Sequence, residues 1–311
     1  MRIAIIGAGM AGLACAEKMS SAGHAARLFD KGRGPGGRMS ARRVPTPAGD
    51  AGFDHGAQYF TARDAAFSAR VEKWSAQGLV ARWPAAGADA WVGTPAMNAP
   101  IRAMAAGLDV TWSARVDSLR RDGTTWRVRG DGIDESGFDA AVIAVPAEQA
   151  APLLESWNPG MAAKAAATIS LPCWAVMAAF SGRVPIKADI LREDGIIGWA
   201  ARNSAKPGRS GPESFVIQAG PEWSRAHLED DSSAVTPVLL EAFSVRVGAE
   251  LPELLSAVAH RWRFARSGGA GLGMLWNPDL RLGACGDWLL GPRIECAWLS
   301  GTALADAMLR A

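Results

Sequence analysis

RIAIIGAGMAGLACAEKMSSAGHAARLFD, Arg2 to Asp30, decides how this chain folds. RIAIIG is a short apolar run closed by glycine, the pattern of a strand buried on both faces of a parallel sheet. AGLACAEKMSSAG follows with apolar residues at helical spacing and Gly23 as a stop signal. HAARLFD reads as a second strand, so the stretch is a βαβ unit of about 30 residues. Between strand and helix, GAGMAG (Gly7 to Gly12) fits GxGxxG. Gly7 allows the tight turn, Gly9 lets the backbone approach a pyrophosphate, and Gly12 lets the helix pack close to the strand. Met10 and Ala11 lie at the helix N-terminus, whose unpaired N–H groups and positive dipole suit phosphate. Asp30 ends the second strand, where it can accept hydrogen bonds from ribose hydroxyls and repel a 2′-phosphate. Lys31 follows it directly.

Composition narrows the class. The chain has 311 residues, 49% hydrophobic and 21% charged, which suits an enzyme-sized globular protein of two interlocked lobes. The net charge is only +2, so no global field favours nucleic acid or an anionic membrane. Only six of the 33 basic residues are Lys, and single Arg residues therefore carry little weight. Cys15, Cys173, Cys285 and Cys296 form no CxxC and no Cys/His cluster, so neither a metal site nor a disulfide framework is expected. No apolar run reaches the ~18 residues of a membrane span. With a strand starting at Arg2, no signal peptide is expected, and the reading is a soluble cytoplasmic protein.

Further along, Asp64 to Gly78 reads as a helix, Leu79 to Val92 as a hairpin, and Thr94 to Gly107 as another helix. ARVDSLRRDGTTWRVRGDG alternates around Asp122-Gly123, a hairpin signal. FDAAVIAVPAE is a second buried strand stopped by Pro146. From about Ala151 to Ala270 the character changes, with many Trp and Pro, mixed strands and helices, and no glycine fingerprint. LRLGACGD then reads as a strand and Ile294 to Arg310 as a helix. The expected fold class is α/β: a Rossmann-like nucleotide-binding domain with an inserted α+β substrate domain on a mixed or antiparallel sheet. The cofactor domain is discontinuous, 1–63, 94–150 and 275–311, and the substrate domain takes 64–93 and 151–274.

The second glycine segment specifies the nucleotide. DKGRGPGGRM (Asp30 to Met39) continues past the acid, and a plain NAD site needs no such extension. With Gly36-Gly37-Arg38-Met39 and Arg42, this segment resembles the fingerprint of the flavin-containing amine oxidase superfamily. The resemblance implies FAD, bound without a covalent link. Gly37, Arg38 and Met39 would run beside the diphosphate, with the arginine on it or near the flavin. FDHGAQYFT (Phe53 to Thr61) resembles the segment of renalase-type flavoproteins that runs along the flavin, which implies contacts from Gly56, Ala57, Gln58 and Tyr59. His55 reads either as a polar flavin contact or as a structural histidine. GDWLLGPRIECAWLSG (Gly286 to Gly301) resembles the superfamily's C-terminal FAD motif. Gly286 and Asp287 would meet the ribityl chain or diphosphate. The helix from Ile294 would aim its N-terminus at the flavin N1/C2 edge, with the Glu295 backbone N–H rather than its side chain as the contact. Val116 aligns with the adenine-contacting position.

HRWRFA (from His260) and GWAARNSAKPGR (Gly198 to Arg209) also look like bacterial renalase-type segments. On that resemblance the protein oxidises 2- or 6-dihydro-NAD(P) by hydride transfer to flavin N5. O2 would then reoxidise the flavin, giving NAD(P)+ and hydrogen peroxide. Tyr59, Asn203, His260 and Trp262 are the substrate-cavity candidates. Arg202, Lys206 and Arg209 could bond the substrate amide or phosphates, or form a solvated loop. Two alternatives stand beside this reading, an FAD-dependent amine oxidase and a desaturase-like dehydrogenase. An amine oxidase often encloses its substrate between two aromatic rings, and with one Tyr in the chain Trp or Phe would have to supply the second. A small dinucleotide or amine substrate is expected, with no nucleic acid, membrane or metal.

Overall fold

The computed structural model describes residues 1–311. The chain runs β1 (Arg2–Ile6), α1 (Met10–Ser21), β2 (Ala25–Phe29), β3 (Arg42–Thr46), β4 (Gly49–Phe53), α2 (Ala65–Ala76), β5 (Val80–Arg82), β6 (Trp91–Gly93), α3 (Ala99–Ala105) and β7 (Asp109–Thr111). It continues through β8 (Val116–Asp122), β9 (Thr125–Gly130), β10 (Ile133–Phe138), β11 (Ala140–Ile143), α4 (Ala147–Glu155), α5 (Pro159–Ala166) and β12 (Leu171–Phe180). It ends with β13 (Ile190–Asp194), β14 (Ile197–Arg202), β15 (Glu213–Ala219), α6 (Pro221–Ala226), α7 (Ser232–Val247), β16 (Leu254–Arg266), β17 (Leu275–Asn277), β18 (Leu282–Ala284) and α8 (Ile294–Arg310).

The continuous apolar runs became central strands. β1 lies between β11 and β2, all parallel, in a six-stranded sheet of order β17-β18-β11-β1-β2-β7. All four residues of β11 are buried, as a strand covered on both faces requires. α1 and α8 pack together over one face of this sheet. A Cβ on Gly301 would lie 2.0 Å from the Ala11 carbonyl oxygen, so glycine there is what lets α8 approach.

The inserted unit is a five-stranded antiparallel sheet of order β13-β14-β15-β12-β16. Alternation along β12 assigns its faces. Trp174, Val176, Ala178 and Phe180 turn to Val235, Leu239 and Phe243 of α7. Ala175, Met177 and Ala179 turn the other way, onto Ala51 and Phe53 of the β3–β4 hairpin. That hairpin wedges the second sheet to the glycine-rich segments.

One expectation needs correction and another is extended. The helix expected from Thr94 begins only at Ala99, with Pro100 in its first turn. The Asp122-Gly123 hairpin carries a third strand, β10, in which polar residues and Gly137 obscure the alternation. Phe67, Val71 and Trp74 of α2, with Val80, Trp83 and Trp91, join α1 and α8 in one core, so 64–93 pack with the nucleotide unit. Past residue 150, Leu153, Leu154, Met161 and Ala162 of α4 and α5 bury against Ile6, Ile143 and Phe138 in a second core on the parallel sheet. The antiparallel sheet starts only at Leu171.

Candidate functional site

In an open parallel sheet, ligands bind outside the carboxyl ends of the strands. The glycine loop lies there, between β1 and α1. Gly7 has φ +106°, and a Cβ on it would sit 2.5 Å from the Ala144 carbonyl oxygen. A Cβ on Gly12 would meet the Gly7 carbonyl oxygen at 2.0 Å, while one on Gly9 meets nothing within 4 Å. Gly7 and Gly12 therefore serve internal packing, and Gly9 borders open space. No side chain caps α1 and no acidic residue occupies its first turn, so the N–H groups of Met10 and Ala11 remain for an anion.

The Asp30 carboxylate accepts from the Ala8 and Gly32 backbone N–H groups, both at 2.7 Å. Each oxygen keeps a lone pair for a ribose hydroxyl. Backbone bonds from Ser113 to Gly32 and from Ala114 to Asp30 lay the next residues, Arg115 and Val116, beside this corner. Lys31 is exposed at its edge.

Arg38 and Asp287 lie 249 residues apart in sequence and form a bidentate ion pair, 2.8 Å and 2.5 Å. Each was expected on the cofactor separately; the structure ties them to one another. Asp287 is nearly buried and also accepts from Ser267 Oγ at 2.7 Å. Gly37 (φ +52°) packs against Gly9, and Met39 is buried in the core that α1 and α8 share. The Ala57 N–H donates to the Arg38 carbonyl at 2.9 Å, and a Cβ on Gly56 would sit 2.1 Å from that oxygen. Gly286 donates its N–H to Ser300 Oγ at 3.0 Å. The first and second glycine segments, 56–57, 286–287 and the start of α8 thus line one crevice.

At α8, the Glu295 carboxylate accepts from the Arg63 and Asp64 N–H groups at 2.6 Å and pairs with Arg293. It anchors the start of α2, which leaves the backbone N–H groups of Ile294 and Glu295 facing outward from the helix end. Two uncapped helix N-termini, an open glycine and a ribose-type acid around one crevice fit a dinucleotide with a central diphosphate and a flavin edge that gains negative charge on reduction, as FAD has.

The antiparallel sheet lays a single cross-strand row over the 55–59 segment. Trp199, Gln218, Ala175 and His260 are neighbours in register across β14, β15, β12 and β16. The Tyr59 ring lies 5.6 Å from Trp199, Gln218 Nε2 donates to the Gly56 carbonyl at 2.9 Å, and the His55 ring lies 4.8 Å from His260. Trp262 stacks on His55 at 5.3 Å and donates from Nε1 to the His55 carbonyl. Burial, then His260 and Arg42, push the His55 imidazole down to about 4, and burial and Arg42 lower His260 as well. Both are neutral near pH 7. The buried His55 Nδ1 and Trp199 Nε1 have no hydrogen-bond partner.

The 202–209 cluster makes its polar contacts within the protein. Asn203 is 1% exposed; it donates to the Gly52 carbonyl and accepts from the Asp54 N–H. Arg202 is fully buried, paired with Asp189 and Glu213 and bonded to the Val184 and Ile186 carbonyls. Lys206 and Arg209 both pair with buried Asp54. They do not form a solvated loop: Arg202, Lys206 and Arg209 pair with buried or half-buried carboxylates. Asn203 lies against the 52–54 backbone, while Tyr59, His260 and Trp262 lie along the 55–59 segment and the row above it. Gln218 belongs to no motif in the sequence, and Trp199 lies within GWAARNSAKPGR but is not among its polar candidates. The only available signal was one amide in the otherwise apolar FVIQAG.

A Rossmann-like crevice roofed by an antiparallel sheet, with two glycine segments and a C-terminal helix dipole, defines a flavoprotein oxidoreductase. The chain belongs to the flavin containing amine oxidoreductase family, whose model matches residues 79–309, and residues 5–73 match an NAD(P)-binding Rossmann-like domain. FAD is its cofactor. Cyclohexylamine oxidase from Brevibacterium oxydans IH-35A shares the fold at TM-score 0.76 and 12% identity, over 99% of this chain and 98% of that one. Putrescine oxidase bound to putrescine aligns at TM-score 0.71 and 12% identity, over 100% and 99%. No helix is long and apolar enough to cross a membrane.

Proposed function

We propose that this flavoprotein oxidises isomeric dihydro-NAD(P) in the manner of renalase, with O2 as the electron acceptor and hydrogen peroxide as the second product. The observation that carries the reading is the row Trp199–Gln218–Ala175–His260. It is aromatic, carries amide and imidazole groups, and has no carboxylate or free ammonium. A dihydropyridine ring needs stacking and orientation but no base, since its ring carbon gives up hydride directly. Bound FAD supplies the hydride acceptor at N5. The residues proposed around the cofactor are Gly9, Met10 and Ala11 for the diphosphate and Asp30 for the ribose. Val116 would serve adenine, Gly56 to Tyr59 the flavin, and the Ile294 and Glu295 N–H groups its N1/C2 edge. Tyr59, His260 and Trp262 would shape the substrate space, with neutral imidazoles that can accept hydrogen bonds without charging.

An amine oxidase is the second reading, favoured by the Tyr59–Trp199 ring pair. The test is anaerobic mixing of the yellow protein with 6-dihydro-NAD and, separately, with a panel of amines. Bleaching of flavin absorbance by the dinucleotide alone, reversed by air with peroxide formed, is the expected result. Bleaching by an amine alone would replace the first reading with the second.

A further inference from the structure

Asp54 is the most heavily engaged carboxylate behind the crevice. It is 1% exposed, pairs with Lys206 Nζ at 3.1 Å and with the Arg209 guanidinium, and accepts from the Met97 N–H at 2.9 Å. One buried carboxylate therefore faces two buried cations, and the cluster holds an excess positive charge. Burying unbalanced charge is costly, so it persists only where the surroundings satisfy every donor. Lys206 meets most of that demand with two hydrogen bonds and a ring contact. Its ammonium bonds Asp54 and Gln58 Oε1, each at 3.1 Å, and lies 5.1 Å from the Trp83 ring centroid.

The contact to Gln58 gives the cluster a direction. With its amide oxygen held by Lys206, Gln58 turns its NH2 group to the Asp54 and Gly56 carbonyls. Gly56 is the residue packed on the Arg38 carbonyl, and Gln218 donates to the same Gly56 oxygen. A chain of polar contacts thus leads from Lys206 through Gln58 to the crevice wall. Were Lys206 apolar, the Gln58 amide would lose the partner that fixes its orientation.

We propose that Lys206 is a positioning residue of the flavin site: its buried ammonium orients Gln58 and places a fixed positive charge behind the 54–58 wall that favours the reduced, anionic flavin. The proposal rests on the placement of the flavin along 56–59 given above. Asp54, Arg209 and the neutral Gln58 and Trp83 are the groups that face Lys206. Burial pushes this ammonium down to about 8, with Asp54 opposing and Arg209 adding to the shift, so its charge can be removed within a working pH range.

The test is the midpoint potential of the FAD-loaded protein from pH 6.5 to 10, by dye-coupled reduction with xanthine oxidase, which requires no substrate of this enzyme. A break in the potential–pH curve near pH 8 is expected, because the reduced flavin holds the Lys206 proton more tightly than the oxidised one. Lys206→Met should abolish the break and make the potential more negative below pH 8. Gln58→Glu supplies a carboxylate at the same place; it should lower the potential and move the break to higher pH. A wild-type curve with no break overturns the proposal without any variant. So does either variant if it binds FAD and keeps the wild-type curve. Failure of 6-dihydro-NAD to bleach the flavin would sink the substrate reading and leave this measurement intact.

Discussion

Arg38 shows why a correct motif does not specify a correct contact. The pattern Gly36-Gly37-Arg38 names a residue near the diphosphate, but a guanidinium forks onto any carboxylate within reach. In the folded chain that carboxylate is Asp287. Arg38→Ala should leave Asp287 with only the Ser267 hydroxyl, a loss of about 1–3 kcal/mol for a mostly buried charge. Chemical denaturation of the apoprotein would read the loss, and Arg38→Ala/Asp287→Asn together should cost less than the sum of the single changes. An unchanged apoprotein with weakened FAD binding would mean instead that Arg38 acts on the cofactor. Asp30 and the glycines were legible because each answers a local backbone demand. Asp287, Asn203 and Lys206 were not, since their partners lie more than 140 residues away in sequence.

Among the elements, α8 was readable throughout. Its periodicity and its place after a glycine-aspartate pair mark both its length and its dipole. What the pattern did not show is the neighbour. Gly301 looks like an ordinary weak point in a helix until the Ala11 carbonyl is seen 2.0 Å from where its Cβ would be. Gly301→Ala should therefore destabilise the protein by ~1–3 kcal/mol through overpacking, despite alanine's better helix propensity. A lowered Tm together with weaker FAD retention would mark the displaced helix end; a raised Tm would show that α8 shifts freely. The second sheet was legible only as a change in character. Its β12 is buried on both faces and reads as one apolar run, and its β16 is half-buried along most of its length, so period-2 signals fade.

For the whole molecule, the His55–His260–Trp262 stack joins the two units, and it is built for neutral imidazoles. His55 titrates at about 4 when folded and near 6.5 when not. The unfolded chain therefore binds the extra proton between those values, and stability falls as pH drops from 6.5 toward 4. The loss amounts to roughly 3 kcal/mol if His55 acts alone. His55→Phe should flatten that part of the stability–pH curve in urea melts, and a variant as acid-sensitive as the wild type would place the dependence elsewhere.

The parallel sheet draws β1 and β2 from one end of the chain and β18 from the other, with α8 closing on α1. Contacts of such sequence separation form late, because loop closure must be completed before they repay it. On the ribosome, the glycine loop would emerge early and wait for nearly the entire chain before its crevice had a far wall. Flavin capture then waits on the synthesis of α8, and a nascent chain stalled before Ile294 should emerge colourless, with the apolar side of α1 uncovered and open to chaperones.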